Sequence, residues 1–186
     1  MTTETNELTE KIGTVDIGYY KAYFGNDSDY YLPIMRDFYH GKKFTFNVWA
    51  FLLGLFWQLY RRLYLPILFF IVAIIIQSVI QASIVSYLDM GKLTNTFINL
   101  IASVIFALFY GFTGNYFLMQ KAHKKTLQIL STKDNEDIIL QKLEKAGLGN
   151  TIGIIVCIVS IIAFFCNDYV FQIPNRTKFI VLSVNK

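Results

Sequence analysis

The residues of this sequence that could carry chemistry are few, and a basic pair is the most distinctive feature among them. Arg61 and Arg62 are the only charged residues between Phe44 and Leu88, a stretch that is otherwise apolar and aromatic. A guanidinium group can form two parallel hydrogen bonds with a phosphate or a carboxylate. Lipid headgroups or a partner protein could supply such groups. The chemistry indicated here is therefore binding of an anion beside an apolar segment.

Polar and small residues recur along the same stretch. Asn47, Gly54 and Arg61 are spaced seven apart, so on one helix they would drift by only about 20° per step, with Gln58 near the same face. Two interpretations remain open: this face packs against a neighbouring helix, or Arg61 binds a phosphate or carboxylate while Asn47 orients it. The candidate contacts for a lipid or a partner are Asn47, Gly54, Trp57, Gln58, Arg61 and Arg62.

Catalysis and metal binding are not indicated. His40 and His123 lie in polar flanks, and His123 stands within a run of lysines, where we expect it to be solvated or to face headgroups. Cys157 and Cys166 would lie on opposite faces of one helix, and a metal site needs more ligands. No HExxH, GxSxG or Walker motif is present. We therefore expect a protein that is not an enzyme and that needs no cofactor or metal.

Long apolar runs must position these residues. A helix needs about 20 apolar residues to cross the hydrocarbon core of a membrane, and runs of that length cover 63–88, 97–119 and 151–171. The composition agrees, with 54% hydrophobic and only 16% charged residues. The sequence predicts an all-α fold: a polytopic helical integral membrane protein with three transmembrane helices.

The segment 44–62 is harder to place, because only its last two residues, Arg61 and Arg62, separate its apolar part from the span at 63–88. Two interpretations survive. In the first, the segment is an interfacial or re-entrant aromatic helix, which keeps the pairs Lys42–Lys43 and Arg61–Arg62 on the cytoplasmic side. In the second, it is a full span that places residues 1–43 outside. We favour the first, because it does not require translocation of a polar region.

The distribution of basic residues predicts the orientation. The segment 120–150 carries six lysines, whereas the loop between the first two spans carries one, so the longer segment is expected to be cytoplasmic. The predicted organisation is a cytoplasmic region at 1–43 with an amphipathic helix near 28–40, the aromatic helix at 44–62, a three-span domain at 63–171 whose loop 120–150 contains a helix near 136–146, and a tail at 172–186.

Amides and small residues inside the spans are typical of helix packing, in which each hydrogen bond contributes about 1 kcal/mol. The candidate packing residues are Gln77, Gln81, Asn99, Gly111, Gly114, Asn115, Gly149 and Gly153.

Three segments resemble one known family. The stretch from Phe46 to Tyr64 fits the pattern FNxxAFxxGxxWxxYRxxY, Gly114-Asn115-Tyr116 precedes a basic run, and Gly147 to Asn150 form a glycine-rich step. Together they resemble a bacterial membrane family known as domain of unknown function 2628, over roughly residues 28–165. The resemblance implies a multi-pass protein of the bacterial cytoplasmic (inner) membrane and implies no activity.

Several functional hypotheses follow. We favour a non-enzymatic interaction or adaptor protein that contacts membrane lipids and a membrane protein partner. One alternative is an oligomeric transport or pore-associated component with Gln77, Gln81, Asn99 and Asn115 along its path. A third is an immunity protein against a membrane-acting toxin. Despite a net charge of +4, nucleic acid is not expected as a partner, because the basic residues flank apolar runs.

Overall fold

The computed structural model describes residues 10–151, together with residues 155, 158 and 159. These residues are mostly helical, as expected. A short antiparallel hairpin, β1 (Lys11–Ile12) and β2 (Val15–Asp16), comes first. The helices are α1 (Ile17–Phe24), α2 (Ser28–Tyr39), α3 (Val48–Leu53), α4 (Leu55–Tyr60), α5 (Tyr64–Tyr87), α6 (Lys92–Leu130) and α7 (Glu136–Gly147), and one 3-10 turn covers Gly25–Asp27.

Two of these helices are long and apolar enough to cross a membrane, namely α5 and α6. They correspond to the expected spans at 63–88 and 97–119. The third expected span, 151–171, lies outside the described residues apart from isolated positions. With 39 residues, α6 is about 58 Å long, roughly twice the thickness of the hydrocarbon core. Only part of α6 can therefore lie in hydrocarbon.

The two halves of α6 have different surroundings. Its first half exposes large apolar side chains such as Leu93 and Ile105, whereas Leu118, Met119 and Ala122 in its second half are buried. Helices α1, α2, α3 and α7 all pack against α6, and α7 also packs against α1. We call this assembly the head: residues 10–62, α6 from residue 110 onward, and α7.

One close approach holds α7 in the head. A Cβ atom added at Gly147 would lie 1.5 Å from the backbone carbonyl oxygen of Tyr23 in α1. Leu143, one turn earlier in α7, is completely buried in the same core as Tyr20 and Tyr23. The C-terminus of α7 therefore contacts the backbone of α1 directly, and no side chain fits between them.

The segment 44–62 is not the single helix that we expected. Gly54 separates α3 from α4 and has a φ of 50°, which glycine adopts at little cost. Its N–H donates to the carbonyl oxygen of Ala50 over 2.8 Å and ends α3. The seven-residue spacing assumed an unbroken helix, so Asn47, Gly54 and Arg61 do not share one helical face.

Candidate functional site

Two buried asparagines join α3 to α6. The Asn47 side chain caps α3 by accepting from the Ala50 N–H over 2.8 Å, and its Nδ2 donates to Asn115 Oδ1 over 2.7 Å. Asn115 Nδ2 in turn donates to Thr45 Oγ1 over 3.0 Å. The Asn47 backbone N–H also donates to the Gly111 carbonyl oxygen over 2.8 Å. The network satisfies polar groups that would otherwise be buried without partners.

Two glycines of α6 let the aromatic segment, residues 44–62, approach the backbone of α6 closely. A Cβ atom at Gly114 would lie 2.7 Å from the Ala50 Cβ and 3.2 Å from the ring of Trp57. At Gly111 the nearest side-chain atoms belong to Phe46, at 2.5 Å. The structure thus brings together Asn47, Trp57, Gly111, Gly114 and Asn115. The three residues from α6, Gly111, Gly114 and Asn115, face α3 and α4.

The side chain of Arg61 is directed into the head. It is the C-cap of α4, its Nη2 lies 2.5 Å from Asp27 Oδ2, and its side chain is only 10% exposed. The same nitrogen donates to the Tyr31 hydroxyl over 3.2 Å, and the guanidinium carbon lies 5.3 Å from the centre of the Tyr60 ring. The anion beside Arg61 is therefore a carboxylate of the same chain, 34 residues earlier.

A second basic group lies next to this pair. Lys121, two residues beyond the apolar segment 97–119, donates from Nζ to the Arg61 carbonyl oxygen over 2.6 Å. Burial, together with the positive charges of Arg62, Arg61 and Lys125, lowers the pKa of Lys121 to about 8. Arg62 and Lys121 are both partly exposed.

This pKa leads to a pH prediction. Lys121 titrates near 10.5 in the unfolded chain and near 8 in the fold, so the unfolded state binds more protons between these values. Stability should therefore increase as the pH rises through this window. We expect the melting temperature in detergent to rise more from pH 7.5 to 9.5 in the wild type than in Lys121→Met. Parallel changes in the two proteins would contradict this.

Gln58 is completely buried, and among the described residues neither its Nε2 nor its Oε1 has a hydrogen-bond partner. An unpaired buried amide is unfavourable by about 1–3 kcal/mol. Methionine has a similar volume and no such requirement. Gln58 is thus a polar group in the core that the fold itself does not use.

We therefore predict that Gln58→Met raises the free energy of unfolding by about 1 kcal/mol. Denaturant titration of the purified protein measures this, with Gln141→Met at an exposed position of α7 as the control. Loss of stability in Gln58→Met alone would mean that a buried water satisfies the amide.

The side-chain amides of α5 and of the start of α6 form hydrogen bonds with one another. Gln77 Nε2 donates to Gln81 Oε1 over 2.5 Å, and Gln81 Nε2 donates to Asn95 Oδ1 over 2.6 Å. They link α5 to the start of α6, whereas Asn115 is turned toward Asn47. Asn99 is exposed, and its carbonyl oxygen accepts from Ser103 Oγ over 2.8 Å. The four amides proposed as a path therefore divide between two regions of the fold.

The remaining glycine candidates lie near the end of the described range. A Cβ atom at Gly149 would lie 2.0 Å from the ring of Tyr60, so this glycine packs against the end of α4. The next residue, Asn150, donates from its N–H to the Tyr60 carbonyl oxygen over 2.8 Å. Gly153 lies outside the described residues.

Several partners were not visible in the sequence. His123 was expected to be solvated, but its Nδ1 lies 2.6 Å from the Tyr20 hydroxyl, and Tyr39 packs edge-on against its ring. Asp27, Tyr31 and Tyr20 all come from the N-terminal helices, far from their partners in sequence. No local spacing could have indicated them. The only available signal was the aromatic richness of α1 and α2.

Metal chemistry has no candidate in the part of the chain that the structure describes, where no three His, Cys, Asp or Glu side chains could hold an ion together. The geometry instead offers packed aromatic surfaces, buried amides and paired charges. These groups suit binding and structural roles.

Comparisons with known proteins agree with the resemblance seen in the motifs. No curated protein and no solved structure matches the chain. A family model does match residues 9–124, from the β-hairpin to the basic end of α6. It therefore starts earlier than we expected and does not include the glycine-rich step at 147–150. Because this match covers well over half of the sequence, the chain belongs to the family described as protein of unknown function (DUF2628).

Proposed function

We propose that this protein is a membrane-anchored interaction protein of the bacterial cytoplasmic membrane, in which a helical hairpin holds a cytoplasmic head that binds a partner. The observation that carries the proposal is the division of α6. Its first half exposes apolar side chains, and its second half forms the centre of the head. One helix thus links an apolar surface to a packed polar domain without a break.

The exposure of the hairpin supports its insertion in a membrane. In the most apolar windows of α5 and α6, only 11% and 22% of the residues are buried. An apolar helix in the core of a water-soluble protein would be mostly buried. Contiguous apolar surface of this extent needs a membrane or a partner to cover it.

The aromatic segment supports an interfacial position for the base of the head. Trp49 is 62% exposed, and Phe44, Leu52 and Phe56 are also exposed around it. These residues precede Tyr64, the exposed first residue of α5. Aromatic side chains concentrate where a protein meets the headgroups, and an amphipathic segment with such a face lies in the interface.

The charges favour a cytoplasmic head. Its basic residues include Lys42, Lys43, Arg61, Arg62, Lys121, Lys124, Lys125, Lys142 and Lys145. The turn between α5 and α6, residues 88–91, has no Lys or Arg. This asymmetry is typical of a cytoplasmic head and an external turn.

Cysteine labelling in intact cells tests the anchoring. In a background with Cys157 and Cys166 replaced by serine, single cysteines are placed at Asp29 in the head and at Lys92 beside the turn, both exposed. We expect an impermeant maleimide to label the Lys92 position and to label Asp29 only after the cells are opened. Labelling of Asp29 in intact cells would exclude a cytoplasmic head.

Site-specific photocrosslinking tests the interaction role. A photoreactive amino acid replaces Ile138, an exposed apolar residue of α7, or Ile75, an exposed residue of α5. We expect a discrete protein adduct from the head position. Adducts only between copies of this chain, and only from the hairpin position, would count against an adaptor.

A second candidate function is an oligomeric transport component. The observation that favours it is a groove of about 400 Å³ between α5 and α6, lined partly by Ser78, Gln81, Ser86, Asn95 and Asn99. Polar groups at membrane depth promote association of helices. A monomeric purified protein that confers no solute flux on liposomes would exclude this candidate.

A further inference from the structure

A cavity of about 500 Å³ lies in the head, where α1, α4 and the end of α7 meet. Its walls carry charges of both signs and aromatic rings, including Lys21, Phe24, Asp27, Tyr60, Arg61 and Glu144. We propose that this cavity binds a small zwitterion, in which a primary ammonium group is joined to a phosphate. The favoured source is the headgroup of phosphatidylethanolamine.

The presence of both signs of charge favours a zwitterion. The guanidinium of Arg61 and the carboxylates of Asp27 and Glu144 line the same space. A simple anion in this cavity would be repelled by the carboxylates of Asp27 and Glu144. A simple cation would be repelled by the guanidinium of Arg61, which cannot lose its charge. A ligand that carries both charges can place each one beside its opposite.

Arg61 would bind the anionic half of the ligand, its phosphate group. Its side chain is nine-tenths buried, and Asp27 and Tyr31 contact its Nη2. No group in the described part of the chain accepts a hydrogen bond from its Nε. A buried charged donor without a partner is rare in folded proteins. Phosphate oxygens are good acceptors for such a group.

The size and the rings of the cavity suit the ammonium half. A volume near 500 Å³ falls in the range of small-molecule sites, about 300–1,000 Å³. The ring of Phe24 also lines the cavity, and aromatic faces attract ammonium groups. Glu144 offers a carboxylate to which a primary ammonium, unlike a trimethylated one, can donate hydrogen bonds.

The position of the cavity favours a lipid over a soluble ligand. Tyr60 ends α4, and α5 begins at Tyr64, so the cavity lies close to where the hairpin would enter the membrane. This choice of source rests on the proposed membrane anchoring. The zwitterion site itself does not, because a free ligand with the same chemistry could enter from solvent.

Native mass spectrometry of the full-length protein tests the lipid source. The protein is mixed in detergent with equal amounts of phosphatidylethanolamine, phosphatidylcholine and phosphatidylglycerol that carry identical acyl chains. We expect the wild type to retain phosphatidylethanolamine about fivefold over the other two. Glu144→Gln should remove this preference, whereas Asp137→Asn, which removes a carboxylate from the same helix away from the cavity, should keep it.

Thermal stability with soluble glycerophosphoethanolamine tests the other source. If lipid preference is absent but this compound raises the melting temperature of the wild type and not of Glu144→Gln, the zwitterion site stands with a soluble ligand. If Glu144→Gln fails to fold, Leu148→Trp, at an exposed residue on the wall, fills the cavity and should abolish binding.

Three results would overturn the proposal: neither lipid preference nor stabilisation, a preference for phosphatidylglycerol, or a preference that persists in both Glu144→Gln and Leu148→Trp. Such a failure is distinct from failure of the anchoring proposal, since cysteine labelling measures the sidedness of the head and not its ligand.

Discussion

Gly147→Ala is expected to destabilise the head by about 3 kcal/mol, one of the two largest effects that we predict. The added Cβ would overlap the carbonyl oxygen of Tyr23, 1.5 Å away. That atom belongs to the backbone of α1, so no side-chain rotation can relieve the overlap. Either α7 moves away from α1 or α1 is displaced, and in both cases packing around Leu143 is lost.

Thermal and denaturant unfolding of the purified protein in detergent measure this change. Gly91→Ala is a matched control, because a Cβ at Gly91 meets nothing within 4 Å and its φ of −64° is ordinary. Because Gly91 is the N-cap of α6, Gly91→Ala should lower the free energy of unfolding by no more than about 1 kcal/mol. Equal losses in the two variants would show that α7 does not depend on contact with the α1 backbone.

Asn47→Ala should destabilise the fold by about 2–4 kcal/mol, the second large effect. Loss of the cap on α3 accounts for about 1 kcal/mol. The Asn115 Oδ1, whose residue is only 1% exposed, loses the donor 2.7 Å away. An unpaired buried acceptor adds about 1–3 kcal/mol.

A double-mutant cycle separates these contributions. Asn47→Ser keeps an acceptor for the Ala50 N–H and removes the bond to Asn115, so it should lose less stability than Asn47→Ala. In an Asn115→Ala background, Asn47→Ala should cause a smaller loss of stability than it does in the wild type, because the Asn115 acceptor is no longer there to be left unpaired. Strict additivity of the two alanine changes would rule out coupling between the asparagines.

The elements that repeat along the chain could be predicted. The apolar run at 63–88 corresponds to α5, and amphipathic patterns near 28–40 and 136–146 correspond to α2 and α7. The apolar run at 97–119 lies within α6, but its residues from 110 onward belong to the head. Such patterns depend only on residues that are close in sequence. The extension of α6 to Leu130 was not foreseen, because its last turns are polar and were interpreted as a loop.

The contacts of the candidate site could not be predicted in the same way. Arg61 pairs with Asp27 and Asn47 with Asn115, over separations of 34 and 68 residues. The spacing of seven was also misleading, because Gly54 adopts a positive φ that interrupts the helix. Periodicity cannot reveal where a chain turns back on itself.

The structure does give a physical meaning to the family resemblance. The Phe-Asn pair of the first motif contains Asn47, and the Gly-Asn pair of the second contains Asn115. These two side chains donate and accept the same hydrogen bond, and Gly114 lies against Ala50 and Trp57 of the first motif. The two motifs are thus two sides of one helix contact.

The unbroken length of α6 has a mechanical consequence. Because its 39 residues form a rod of about 58 Å, a change of about 10° in its tilt would displace one end relative to the other by about 10 Å. Helices respond to the thickness of the bilayer by tilting. With the first half of α6 anchored in a bilayer as proposed, the rod would act as a lever, and a small change in bilayer thickness would produce a large displacement of the head.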